Sequence, residues 1–238
     1  MTEQPTSAHE QAHARPDARP GARPDAHPEA QPGARLGARP GAQPGAQSTA
    51  LTLAIDTSLG TSVAVVEGET VLFHEHAADT RRHAEHLGGM LERALDGRRD
   101  RITLVVAGMG PGAFTGLRVG IAAARAVALG LGVACRGIAS HAGVTAGSAQ
   151  VTTDVRRKER AWSIVVDSVV VDGPHLAPAD AVPAPEGEHA GLERIDVDAV
   201  DAALLAIAAL RGAEAIEQAL YLREADAVPS AGPKRVSQ

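Results

Sequence analysis

The residue types best suited to chemistry lie in one stretch, Gly108-Met-Gly-Pro-Gly-Ala-Phe-Thr115-Gly-Leu-Arg118-Val-Gly120. An apolar run of strand type precedes it and an apolar run of helical type follows it. A strand, a glycine loop and a helix N-terminus make an anion cradle, because unpaired backbone N–H groups and the helix dipole converge there. Thr115 suits the N-cap of that helix. Arg118, in the first turn, opposes the dipole unless an anion or a partner carboxylate offsets it. Gly110, Gly112, Thr115, Gly116 and Arg118 are therefore candidate contacts for an anion or nucleotide, with Asp56, Thr57 and Ser58 as candidates from an earlier strand end. No Gly-Lys-Ser/Thr is present, which excludes a Walker A loop. The next strand has no acidic residue to hold a ribose, which disfavours a dinucleotide site. Glycines also serve tight turns and close helix packing, so the letters alone leave both readings open.

Other chemistry is thinly equipped. From Arg101 to Thr153 there is no Asp or Glu, although acid–base work and magnesium binding usually need carboxylates. Asp56 is the best-placed acid of this region, and one carboxylate is little for phosphoryl transfer. No catalytic residue is assigned. His9-Glu10-Gln11-Ala12-His13 matches the zinc-protease pattern, but Pro16, Pro20, Pro24 and Pro28 follow it, and the motif needs a stable helix and a third ligand. His83 and His86 stand three apart and read as a solvated helix face; His141 has Thr145 where a second ligand would stand. No metal site is assigned. Cys135 is the one cysteine, so there is no disulfide framework.

Composition narrows the class further. Phe73, Phe114, Trp162 and Tyr221 are all the aromatic residues there are, and the formal net charge is −6. Both facts argue against a general nucleic-acid binder, which needs stacking surfaces and cations. No apolar run approaches the ~18 residues of a membrane span, and no apolar segment of secretory type follows Met1. A cytoplasmic location with no membrane contact is expected.

The elements that must position these residues begin at about residue 51. Residues 1–50 hold 8 of the 15 prolines, 12 alanines and a recurring Gly-Ala-Arg/Gln-Pro phrase. Such a segment cannot bury enough apolar surface to offset the entropy of ordering, so it is expected to be a disordered extension. Residues 51–56, 61–66 and 70–76 read as strands, with Glu67-Gly68 as a hairpin turn. Leu87, Met90, Leu91, Ala94 and Leu95 recur at helical spacing before Gly97. Strands are expected at 102–107 and 133–138, on either side of a helix over about 115–130. This predicts an α/β first lobe with a mixed sheet over 51–147. A second, reduced lobe over 148–238 would hold strands at 151–155, 161–166 and 169–171, a loop over 173–191 and C-terminal helices over about 198–219, broken near Gly212.

The helix after the glycine loop is apolar on nearly every side. Leu117, Ile121, Ala124, Ala128 and Leu131 step by four, three, four and three residues, the spacing of a coiled-coil seam. Such a helix must be covered twice. With Leu87, Met90 and Leu91 of the preceding helix, Leu117, Ile121, Ala124 and Ala128 are the candidate partner interface; burial within the chain is the alternative.

Three stretches together resemble the bacterial TsaB (YeaZ-type) family: Leu53-Ala-Ile-Asp-Thr-Ser58, His83-Ala-Glu-His86-Leu and the long glycine motif. Val151-Thr-Thr-Asp154-x-Arg-Arg157 and Leu220-Tyr-Leu-Arg223-x-x-Asp226-Ala are similar to further family landmarks. The resemblance implies the two-lobed ASKHA (actin/Hsp70/sugar-kinase) fold, with the second lobe shortened around 182–200. It implies a non-catalytic partner in forming threonylcarbamoyladenosine in tRNA, beside a TsaD-type transferase and a TsaE-type ATPase. Pairing with a second copy is the substitute for the TsaD-type partner, tRNA is met only through the complex, and no cofactor is held tightly, ATP being allowed only at an interface shared within the complex. The TsaD-like His-x-x-x-His is not matched in Ile138-Ala-Ser-His-Ala-Gly-Val-Thr145. The rival reading is an active nucleotide-binding ATPase or small kinase of the same superfold, using Asp154, Asp167 or Asp172 of the second lobe.

Overall fold

The computed structural model describes residues 50–79, 82–155 and 158–222. The expected extension over 1–50 lies outside them except for its last residue, as do Arg156, Arg157, Arg223 and Asp226. Strands β1 (Leu51–Asp56), β2 (Thr61–Glu67) and β3 (Thr70–Ala77) are followed by helix α1 (His83–Leu95), β4 (Ile102–Gly108), helix α2 (Phe114–Leu131) and β5 (Ala134–Ile138). Then come β6 (Ala149–Asp154), β7 (Glu159–Val166), β8 (Val169–Pro178), β9 (Arg194–Val197) and helix α3 (Ala202–Leu210). Two mixed sheets result, in the orders β3-β2-β1-β4-β5 and β8-β7-β6-β9. The α/β, two-sheet class expected from the sequence is the observed one.

In the first sheet, β1 pairs antiparallel with β2 and parallel with β4, and β4 pairs parallel with β5. Alternation along each strand sorts its side chains to the two faces. Leu53, Ile55, Val63, Val65 and Val105 face α1 and α2, while Ala54, Ala64, Val66 and Val106 face α3. The alanines on the second face let α3 lie close. This explains how Ala-Ala-Leu-Leu-Ala-Ile-Ala-Ala-Leu, with almost no polar side, is accommodated: it is covered by the sheet and by the 3-10 turn Ser140–Gly143.

Three boundaries differ from expectation. The helical stretch expected over about 198–219, with a break near Gly212, is helix only over Ala202–Leu210, and residues 213–222 run without helix. It packs on β1, β2 and β4, so the return to the first sheet, rather than the second lobe, claims α3. Strand β8 runs on to Pro178 where a loop was expected, because Gly173 sits at a ladder irregularity that absorbs Pro174. The four-residue β9, parallel to β6, falls outside every expected strand.

Candidate functional site

Parallel strands β1, β4 and β5 end side by side, and their carboxyl ends are where open α/β sheets hold ligands. Asp56 closes β1, Gly108 closes β4, and Ser140 follows β5. Asp56 is 1% exposed. Its Oδ1 accepts from the Ser58 backbone N–H at 2.8 Å and from the Ser58 hydroxyl at 2.5 Å. Its Oδ2 accepts from the Ser140 hydroxyl. That same Ser140 oxygen accepts from the Gly110 N–H at 2.9 Å, and the Ser140 N–H donates to the Gly110 carbonyl at 2.7 Å. One carboxylate therefore ties three strand-end loops together. Burial pushes the Asp56 carboxyl above the ordinary aspartate value, while the bonds from Ser140 and Ser58 pull against that rise.

The glycines are explained by what they face. A Cβ on Gly108 would stand 1.8 Å from Asp56 Oδ2, and one on Gly112 would stand 2.8 Å from Ser58 Cα. A Cβ on Gly120 would meet Thr57 Oγ1 at 2.2 Å, and one on Gly116 would meet the Thr57 carbonyl at 2.8 Å. The Thr57 hydroxyl donates to the Gly116 carbonyl at 2.7 Å and accepts from the Gly120 N–H at 3.0 Å. These are the two groups that close one turn of α2 on each other, so the hydroxyl braces the helix at that turn. The cradle expected to take an anion is filled by the chain's own Asp56–Ser58 turn.

Of the expected anion contacts, the structure brings Asp56, Thr57, Ser58, Gly110 and Gly116 together as buried packing residues. Gly112 is half-buried, and Thr115 and Arg118 are exposed. Thr115 is not the N-cap. The cap is Ala113, whose side chain has no oxygen to offer, and no acidic residue stands in the first turn. Arg118 instead lies over the Phe114 ring, 3.8 Å from its centroid, and its Nε donates to the Tyr221 hydroxyl at 3.2 Å.

The solvated-face reading of His83 changes. His83 is 6% exposed and its Nδ1 shares a 2.9 Å hydrogen bond with the Thr61 hydroxyl, so it is an interior residue beside Gly116 rather than part of a solvated face. His86 is half-buried. His141 is fully buried, with Nδ1 2.8 Å from Ser163 Oγ and Nε2 3.2 Å from Thr153 Oγ1. Burial pushes its pKa down to about 3, so the neutral ring pins the 140–143 turn to β6 and β7. A single His among small residues gave no sequence signal of that role. Among the described residues, no group of three or more His, Cys, Asp or Glu side chains could hold a metal ion.

The expected partner seam is corrected. Leu117, Ile121, Ala124 and Ala128 are 0%, 7%, 0% and 2% exposed and pack on β1 and β4, beside buried Leu87 and Met90 of α1. Leu91 is half-buried. Spacing by fours and threes suits a helix lying on a sheet as well as one lying on a helix. The open side of α2 carries Ala122, Ala126 and Leu129, with Leu129 85% exposed and Val119 and Ala123 half-buried at its border. Among the described residues α2 is long and apolar enough to cross a membrane, but its inner stripe is spent on the sheet.

A family model described as TsaD, tRNA N6-adenosine threonylcarbamoyltransferase, matches residues 72–158. An uncharacterized protein of Mycobacterium tuberculosis is 41% identical over 128 residues, which cover 51% of this chain and 58% of that protein. An uncharacterized protein of Mycobacterium leprae is 42% identical over 98 residues, covering 37% of this chain and 27% of that one. The match thus spans 58% of the Mycobacterium tuberculosis protein's length and about a quarter of the Mycobacterium leprae protein's. Among solved structures, a Pseudomonas aeruginosa protein described as similar to peptidase YeaZ superposes with a TM-score of 0.59 at 22% identity, covering 73% of this chain and all of that one. The structure of YeaZ from Pseudomonas aeruginosa gives 0.57 at 22% identity, covering 74% of this chain and all of that one. The chain has the YeaZ (TsaB) type of fold that its motifs resemble.

Proposed function

We propose that this chain is a non-catalytic supporting subunit in the formation of threonylcarbamoyladenosine in tRNA, and that it docks on a TsaD-type transferase. The observation that carries this reading is a contrast between two surfaces. The one carboxylate at the strand ends is buried and bonded to its own loops, whereas the outer face of α2 is open, with Ala122, Ala126 and Leu129 lying beside Arg118 and Arg125. A smooth face of alanines lets a second helix approach closely. Docking therefore uses Val119, Ala122, Ala126 and Leu129, not the inner stripe first expected.

In this reading the chain holds no cofactor tightly by itself, and ATP, a TsaE-type ATPase and tRNA are met within the assembly. A second copy takes the same α2 face when the transferase is absent. The test is to mix the purified chain with the TsaD-type protein of the same organism and follow the complex by size-exclusion chromatography. A co-eluting complex that is lost in Ala126→Glu, with the monomer still folded, supports the reading. No complex with the wild-type chain, or steady ATP turnover by the chain alone, overturns it.

A further inference from the structure

We propose that the Arg118 guanidinium, clamped by Phe114 and Tyr221, is the docking point for a carboxylate on a protein partner. The proposal rests on the α2 docking face above and names the polar contact at its end. In a chain with one Tyr, one Trp and two Phe, two of the four aromatic rings stand together at the first turn of α2. Both are open, Phe114 at 41% and Tyr221 at 39% exposure, with ring centroids 4.9 Å apart.

The guanidinium carbon lies 3.8 Å from the Phe114 centroid and 5.9 Å from the Tyr221 centroid. Its Nε donates to the Tyr221 hydroxyl at 3.2 Å, a bond that spans 103 positions of sequence. Tyr221 is itself held in place, since the neighbouring Leu220 N–H donates to the Met109 carbonyl of the glycine loop at 2.7 Å. These contacts fix the guanidinium plane and use one of its five N–H groups. The terminal nitrogens are left with no carboxylate partner among the described residues.

The position makes that vacancy informative. Arg118 is the fifth residue of α2, just past a first turn that holds no acidic residue to pair with it. Contact with aromatic faces steadies the cation, and it also removes the rotamer freedom that an incoming ligand would otherwise have to quench. Ordered Arg and Tyr side chains are the residue types that dominate protein interfaces, and the terminal fork of a guanidinium matches a carboxylate geometrically.

A protein carboxylate is favoured over a nucleic-acid phosphate for two reasons. Arg118 and Arg125 stand with Ala122, Ala126 and Leu129 along the open side of α2, so two guanidinium groups lie among small apolar residues on one face. The chain's formal charge of −6 also repels a polyanion.

The test is calorimetric titration of the full chain with the TsaD-type protein of the same organism. Arg118→Gln is expected to weaken binding by at least about tenfold, and Arg118→Lys, which keeps the charge and loses the fork, by less. Tyr221→Phe, which keeps the ring and drops the bond to Nε, should weaken binding by only about threefold. Wild-type affinity should fall with added NaCl more steeply than that of Arg118→Gln, a readout that a merely structural role would not move. Tight, unchanged binding by Arg118→Gln overturns this proposal and leaves the proposed function standing; no binding by the wild type overturns both. A parallel titration of the chain alone with ATP is expected to show no site at Arg118. Saturable ATP binding that Arg118→Gln abolishes would reassign the clamp to phosphate and overturn the proposal.

Discussion

Replacing Gly120 with Ala tests whether the glycine loop is packed against its own chain or kept open for a ligand. In an α-helix interior this change ordinarily stabilises by about 1 kcal/mol, because Gly has the greater backbone entropy to lose. Here the added Cβ would stand 2.2 Å from Thr57 Oγ1, 3.0 Å from Thr57 Cγ2 and 3.1 Å from Thr57 Cβ. Overpacking of this kind costs about 1–3 kcal/mol. Pushing Thr57 away also strands a buried hydroxyl that now makes two hydrogen bonds, at a further cost of about 1–3 kcal/mol. The net expectation is a loss of about 1–5 kcal/mol, opposite in sign to the propensity effect. For a domain of this size that lowers Tm by roughly 2–4 °C per kcal/mol. Gly130→Ala, on the same helix with nothing within 4 Å of the new Cβ, is the control and should raise Tm slightly. Thr57→Ala should remove most of the penalty of Gly120→Ala, so a double-mutant cycle followed by thermal and urea unfolding isolates the contact. A Gly120→Ala protein as stable as wild type, or more so, would refute the packing account.

The two sides of α2 should respond differently to a charge. Ala124→Glu places a carboxylate against β1 and β4, where Ala124 is fully buried, and should cost about 3–5 kcal/mol as an unpaired buried charge; Ala126→Glu, on the open side, should leave the monomer's circular dichroism and Tm unchanged. His141 makes the fold sensitive to acid. Its folded pKa, pushed down to about 3 by burial, lies below the unfolded value, so its stabilisation is full above the unfolded pKa and is lost as pH falls. Taking an unfolded pKa of about 6.5 and about 1.4 kcal/mol per pH unit, the loss is about 2 kcal/mol at pH 5. Urea titrations at pH 7 and pH 5 should show that drop, and His141→Gln should flatten it.

Strands β1 to β5 and helices α1 and α2 were legible because period-two and helical apolar patterns each had turn residues at their ends. β9 was not, since four residues with two partly buried positions give almost no pattern. The irregular stretch after α3 was read as helix because Ala213, Ile216 and Leu220 keep helical spacing beyond the expected break at Gly212. The position of the site was readable, in that Asp56 and the glycine motif both end apolar strands. Its content was not: Gly108 must be Gly because of Asp56, and Gly120 because of Thr57, and both dependencies span more than half a lobe of sequence. The same limit hid the clamp, since nothing local to Phe114-Thr-Gly-Leu-Arg118 announces Tyr221.

The glycine loop and the α2 face turn on one physical choice. A loop rich in backbone N–H groups at a helix N-terminus must satisfy them with something, and a mobile anion and the chain's own oxygen atoms compete for the role. Here the Ser140 hydroxyl takes the Gly110 N–H and the Asp56 carboxylate anchors Ser140 in turn, while the Thr57 hydroxyl grips α2 further in, at Gly116 and Gly120. Burying a carboxylate is costly, and the rise in the Asp56 pKa shows the cost is only partly offset. What the burial secures is geometry: α2 is braced against the end of β1 at Gly116 and Gly120. A helix held that rigidly presents its outer alanines and the Arg118 fork in a fixed frame, which would lower the ordering entropy of the docking proposed above. The polar groups at the strand ends are thus spent on holding α2 still against its own sheet.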